Sequence, residues 1–222
     1  MGSRLTLDIE TIGRFPATVV ATSPMGVHCA FGAIDAAVQG SLLAGLAAIE
    51  TEYAPLIEKA QAVAARIAGV MEAEITAGRL PKAALFDTDY RPIAGTNPEQ
   101  FRTSAVAPLE AVLPAILEPV LVQDNRMLFC IVTDRNGFVP VHNRRVSQPQ
   151  RPGDAVWNNA NCRNLRIFDD RTGITAARST RPARVQVYRR EVGDQIIMVR
   201  EVDAPIRVFG RHWGACRTAY RL

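Results

Sequence analysis

Arg184-Val-Gln-Val-Tyr-Arg-Arg190, then Gln195 to Val208, then His212-Trp-Gly-Ala-Cys-Arg-Thr-Ala-Tyr220 is the stretch that decides the architecture. Gly193-Asp194 and Gly210 punctuate it, so it reads as three consecutive antiparallel strands. Apolar and polar residues alternate, the period of a half-buried sheet. Gln186, Tyr188 and Arg190 then share a face opposite Val185 and Val187. Val199, Glu201 and Asp203 share one on the middle strand. Trp213, Ala215 and Arg217 share one on the last, opposite His212 and Cys216.

Upstream, Met127-Leu-Phe-Cys-Ile-Val-Thr133 reads as a buried strand. Asp134-Arg-Asn-Gly137 is a turn with Asn-Gly as its signal, and Phe138 to His142 reads as the returning strand. Residues 143–182 are polar and Arg-rich, with Pro149, Pro152 and Gly153, and read as loop and short helix. The order is strand, strand, helical insertion, three-strand meander. With a helix in front, that is the chain order of a PAS-like or Cache-like domain. The expected fold class is α+β, an antiparallel PAS/Cache-like sheet with helices, preceded by a long helix and a short N-terminal β arm.

That helix is expected over 42–77. Leu42, Leu46, Ile49, Tyr53, Leu56, Ala60, Val63, Ile67 and Val70 recur at spacings of four and three, a heptad seam. Ile57, Ala64 and Met71 widen the stripe, so it suits packing inside a bundle as well as a two-stranded coil. Gly78 is a helix stop, the length would be roughly 54 Å, and Pro55 is expected to kink or split it. Between 105 and 122 the helical pattern returns, but Pro108, Pro114 and Pro119 predict a broken helix. Residues 79–104 have loop chemistry. Residues 1–32 read as three short strands around Leu5–Ile9, Phe15–Ala21 and Val27–Phe31, with a turn at Ser23-Pro-Met-Gly26. Such an arm cannot bury a core alone and reads as the end of a domain beginning before residue 1, or as an arm packed on something else. The expected division is 1–35 (β arm), 36–78 (signalling helix) and 79–222 (sensory domain).

The chain has 222 residues, 48% hydrophobic and 22% charged, which excludes disordered, collagenous and disulfide-scaffold classes. No apolar run of about 18 residues occurs, and the N-terminus lacks the layout of a signal peptide. Four cysteines without CxxC give neither a disulfide framework nor a zinc site. A cytoplasmic location is expected, with no direct membrane contact, although a parent receptor could be membrane-anchored. The net charge is +4, and all but two of the 26 basic residues are Arg. They crowd into 141–190, where eleven Arg face only Asp154, Asp169 and Asp170. Guanidinium suits bidentate contact with carboxylate or phosphate. No groove-reading motif accompanies the Arg, so nucleic acid is not the expected partner.

Three separated motifs carry a family resemblance: Asp134-Arg-Asn-Gly-Phe-Val-Pro-Val-His-Asn-Arg-Arg145, Arg166-Ile-Phe-Asp-Asp-Arg-Thr-Gly173 and Ala204-Pro-Ile-Arg-Val-Phe-Gly-Arg-His-Trp-Gly214. In this order, over roughly 40–222, they resemble the C-terminal region of certain bacterial methyl-accepting chemotaxis proteins. The resemblance implies a cytosolic PAS/Cache-like sensor attached to a chemoreceptor signalling module. Residues 10–32 resemble the end of a PilZ-like domain, a family that reads cyclic di-GMP. Here Ala21 replaces the acidic or amide residue of its D/N-x-S-x-x-G motif, and no RxxxR precedes it, so cyclic di-GMP binding is not expected.

No GxSxG, P-loop, GxGxxG or kinase set is present, and the chain is not expected to be an enzyme. Asp169 and Asp170 are expected to pair with Arg166 and Arg171. His28, His142 and His212 fit no metal motif. No cofactor is expected, with haem ligation by His142 or His212 as a minor alternative. Cys130, Cys162 and Cys216 read as core thiols, with a redox pair as the alternative. The expected ligand site comprises Tyr188, Asp203, Arg217 and Trp213 on the sheet, with His142, Arg144 and Arg178 near its mouth. Its ligand would be small, with an anion as one option; the competing reading is that Arg217–Asp203 only ties strands together. The function expected is a chemoreceptor sensory module, binding a ligand or sensing redox state and signalling through helix packing as a homodimer. The alternative is a ligand-free dimerisation or partner-docking module.

Overall fold

The structure is a computed structural model that describes residues 2–10, 12–23, 26–192 and 195–222. The fold is α+β, with antiparallel sheets and six α-helices among the described residues. The chain divides into two compact units, Met1–Pro55 and Leu56–Leu222. Among the described residues no helix is long and apolar enough to cross a membrane.

In the first unit β1 (Arg4–Ile9), β2 (Gly13–Ser23) and β3 (Gly26–Phe31) form an antiparallel meander. Phe15 and Ala17 are buried on it, and Phe31 meets Phe15 edge to face. Pro24 and Met25 of the expected turn lie outside the described residues, as do Gly193 and Asp194 of the later one.

Helix α1 (Ala36–Thr76) runs unbroken through Pro55, so the expected split does not occur. Its seam is uniform in sequence but not in burial. Leu56, Ala60, Val63, Ala64, Ile67 and Met71 are buried, whereas Leu46 and Ile49 of the seam, and Leu43 beside it, are exposed. The stripe from Leu56 onward is therefore packing within its own unit. After Thr76, Gly78 takes φ +74, the left-handed conformation a helix end favours, and the Arg79 and Leu80 amides bond back to Glu74.

The second unit continues with α2 (Lys82–Leu85) and a two-residue ladder of β4 (Arg91–Pro92) with β5 (Phe101–Arg102). The expected broken helix is α3 (Val106–Val112) and α4 (Pro114–Leu121). Pro114 opens the second, a position where the missing N–H costs nothing. Strand β6 (Met127–Asp134) follows, with α4 packed on it. The turn after it is built on Asp134, whose Oδ1 accepts the amides of Asn136 (2.8 Å) and Phe138 (3.0 Å).

The return strand departs from expectation. β7 is only Phe138–Val139 and pairs with β8 (Arg166–Ile167), not with β6. Pro140 has no N–H to give a ladder, so the strand stops there and His142 falls in an irregular segment. A 3₁₀ turn (Arg144–Val146), α5 (Ala155–Asn161), β8 and α6 (Arg171–Arg178) complete the insertion. Strands β9 (Arg184–Val192), β10 (Gln195–Val208) and β11 (Arg211–Arg221) make the meander. The main sheet has the order β6-β11-β10-β9, antiparallel throughout. One face carries Phe129, Ile131, Val199 and Ala219 in a core cluster, with Phe168 and Tyr188 packed against it.

Two glycines fix Phe168. A Cβ on Gly137 (φ +86) or on Gly173 would run into the Phe168 carbonyl oxygen, and the Phe168 amide donates to Gly137 O at 2.8 Å. The β6–β7 turn, Phe168 and the first turn of α6 are thereby held together.

Candidate ligand-binding cleft

A cleft of about 530 Å³ opens on this face of the main sheet. Phe129 and Ile131 of β6, Arg217 of β11 and Tyr188 and Arg190 of β9 form its floor; His142, Arg163 and Phe168 come from the insertion. Asp170 and Thr172 reach it from the start of α6, and Ile196 from β10.

Beneath the floor lies a charged cluster. Glu201 is fully buried. Its Oε1 accepts from Arg217 Nε and lies beside Nη2, both at 2.7 Å; its Oε2 accepts from the Tyr188 hydroxyl at 2.7 Å. Asp203 Oδ2 accepts from Gln186 Nε2 at 3.0 Å, and Oδ1 stands 3.8 Å from Arg217 Nε with no hydrogen-bond partner. Burial, and then the neighbouring Glu201 carboxylate, push the Asp203 carboxyl well above its ordinary range. Burial works against the Arg217 charge, but Glu201 and Asp203 outweigh it. Burial and the Glu201 carboxylate likewise push the Tyr188 hydroxyl up, so it is a neutral donor. With Asp203 protonated the cluster is neutral: one guanidinium against one carboxylate.

The walls are cationic. Burial, then Arg190, then Arg166 lower the Arg163 guanidinium to about 10, which leaves it charged at neutral pH. Arg163 packs over the Phe168 ring (4.9 Å to the centroid) and donates to Asn159 O (3.3 Å). Arg190 lies over Phe129 (5.7 Å). Burial, then Arg163 and Arg190, press the His142 imidazole well below its ordinary range, so it is neutral. Its Nδ1 accepts the Asn143 amide at 2.7 Å; this assigns the remaining proton to Nε2 and makes the ring a neutral donor. Asp170 does not pair with arginine as expected. Its Oδ1 caps α6, accepting from Thr172 N (2.9 Å) and Gly173 N (3.0 Å).

Of the residues singled out in the sequence, Tyr188, Arg217 and His142 come together in this cleft. Asp203 belongs to the layer beneath it. Trp213 does not reach it: four residues along β11 is about 13 Å, and its indole donates to Leu85 O at 2.8 Å, a packing role. Arg178 is exposed at the far end of α6, whose first turn faces the cleft, roughly 12 Å away along the helix. Arg144 sits in the 3₁₀ turn with its amide donating to Glu118 Oε1 at 2.9 Å, outside the lining. Arg163 and Phe168 were not singled out; they stand on irregular backbone where no periodicity aims a side chain.

The other candidates lie apart. His212 is tied to Ala177 O (2.9 Å). His28 is beside Ser23 Oγ (2.9 Å) in the first unit. Cys130, Cys162 and Cys216 are buried free thiols. Among the described residues no group of three His, Cys, Asp or Glu could hold a metal ion. The cleft offers guanidinium, imidazole N–H and aromatic surface, which is equipment for binding an anion with an apolar body. Neither a scan of protein-family models nor a search of curated proteins finds a match for this chain.

Proposed function

We propose that residues 56–222 form a sensory domain that binds a small anionic ligand in the cleft on the β6-β11-β10-β9 face. The observation that carries this reading is the set of cleft-facing donors, Arg163, Arg190 and His142, around a floor where Arg217 is already neutralised by Glu201. The motifs at 134–145, 166–173 and 204–214 further support placing the domain in the cytosolic part of a bacterial methyl-accepting chemotaxis protein. There it would act without catalysis. The buried half of α1 belongs to the same unit as the cleft, so ligand occupancy would be passed on as a change in how that helix packs.

The test is native mass spectrometry of the freshly purified chain for a retained small molecule. Thermal shift against a panel of small carboxylates and phosphates accompanies it. Arg163→Met should weaken binding by roughly 10- to 150-fold, the loss of one charge-assisted hydrogen bond. A panel that leaves the melting temperature unmoved, with no retained mass, refutes the reading. The second reading, a ligand-free dimerisation or docking module, is favoured by one observation: Leu43, Leu46 and Ile49 are exposed along one side of α1. It predicts a dimer by light scattering that Leu46→Glu dissociates.

A further inference from the structure

The charges at the cleft point to a narrower class of ligand. Four arginines line it: Arg163, Arg189, Arg190 and Arg217. Arg189 is exposed and alternates with Arg190 along β9, which leaves Arg163, Arg190 and Arg217 as the guanidiniums on the sheet face that the cleft covers. Arg217 is met by Glu201 at 2.7 Å. Among the described residues, no carboxylate pairs with Arg163 or Arg190. Their contacts are neutral: the Asn159 carbonyl and the Phe168 ring for Arg163, the Phe129 ring for Arg190. Asp170, the carboxylate at the rim, caps α6 through Oδ1 and forms an ion pair with neither. His142 adds a donor but no charge.

Two like charges at one partly buried site, both without a counterion, repel each other, and a single negative charge answers only one. We propose that the cleft takes a dianion, a small molecule with two negative charges on an apolar body, with Arg163 and Arg190 each answering one charge. This rests on the anionic-ligand reading above. The body would lie on Phe129, Ile131 and Phe168. The volume, about 530 Å³, is within the range of small-molecule sites. A dicarboxylate and a phosphate monoester share this chemistry.

Calorimetry on the full chain separates the cases at constant ionic strength, because dianions otherwise change the screening. Two matched pairs serve as probes at about pH 8, where a phosphate monoester carries nearly two charges. These are phthalate against benzoate, and phenyl phosphate against benzenesulfonate. In at least one pair the dianion should bind about 10-fold or more tightly than its monoanionic twin, the lower bound for one extra charge-assisted contact. The pair with the larger ratio identifies the source as carboxylate or phosphate. Arg163→Met and Arg190→Met, each checked for an unchanged circular dichroism spectrum, should bring that ratio close to one. Dianions and monoanions binding equally to the wild type would overturn the proposal while the anionic reading stands. No binding of any of the four would overturn both.

Discussion

Arg217→Met is the sharpest perturbation of this domain, because it removes charge while nearly keeping volume. In the wild type Glu201 is wholly enclosed and takes two guanidinium nitrogens at 2.7 Å, and Asp203 is 2% exposed. Without Arg217, Glu201 keeps the Tyr188 hydroxyl alone, and two carboxyl groups face each other with no cation between them. Removing one partner of such a buried pair costs about 3–5 kcal/mol. For a unit of this size each kcal/mol moves Tm by about 2–4 °C, so Tm should fall by roughly 6–20 °C. Thermal and urea unfolding at neutral pH, followed by circular dichroism, measure this. Adding Glu201→Gln removes the stranded charge while keeping an acceptor for Tyr188, so the double variant should be more stable than Arg217→Met alone. A loss below about 1 kcal/mol, the range of an exposed ion pair, would refute the description of the cluster. For the same reason Arg217 is a poor probe of ligand binding, and Arg163 a better one.

Two further outcomes are expected. Burial and Glu201 raise the Asp203 carboxyl in the folded state, so its contribution to stability is complete below the unfolded value of about 3.9 and is lost as pH rises through the folded one. Unfolding free energies from urea titrations between acid and neutral pH should therefore fall relative to those of Asp203→Asn, by up to about 1.4 kcal/mol per pH unit; parallel profiles would remove the argument. On α1, Ile67→Ala should cost about 2–5 kcal/mol as a buried truncation, while Leu46→Ala, at an exposed position, should cost less than about 0.5 kcal/mol. Equal effects at the two sites would mean that the helix is packed alike along its length.

The meander was legible because alternation and glycine turns both mark it; strand parity grouped Tyr188 with Gln186 and Arg190, and Arg217 with Trp213 and Ala215, and the ladder register then brings Tyr188 and Arg217 to one face. Parity could not choose the partner of Arg217. Asp203 lies directly opposite it in the ladder, yet the guanidinium reaches diagonally to Glu201, which a period-2 pattern does not specify. The short β7 had a visible cause in Pro140, overridden by the Asn-Gly hairpin signal. The heptad seam of α1 misled differently: its apolar spacing is regular throughout, and burial is decided by where the rest of the chain packs. Arg163 had no signal at all. Its position depends on a segment that turns at Leu165 with φ +61, a conformation no apolar pattern encodes.

The grip of Gly137 and Gly173 on the Phe168 carbonyl bears on how this cleft could be retuned. The object held between them is main chain, so no replacement of the Phe168 side chain can make room for a Cβ at either glycine. A variant at one cannot be rescued at the other, and the insertion wall is closed to stepwise redesign from that side. Arg190, Ile196 and Tyr188 stand on β9 and β10, whose main chain is not part of that clamp. A change in ligand preference should therefore be written first on those two strands, with the aromatic wall inherited unchanged.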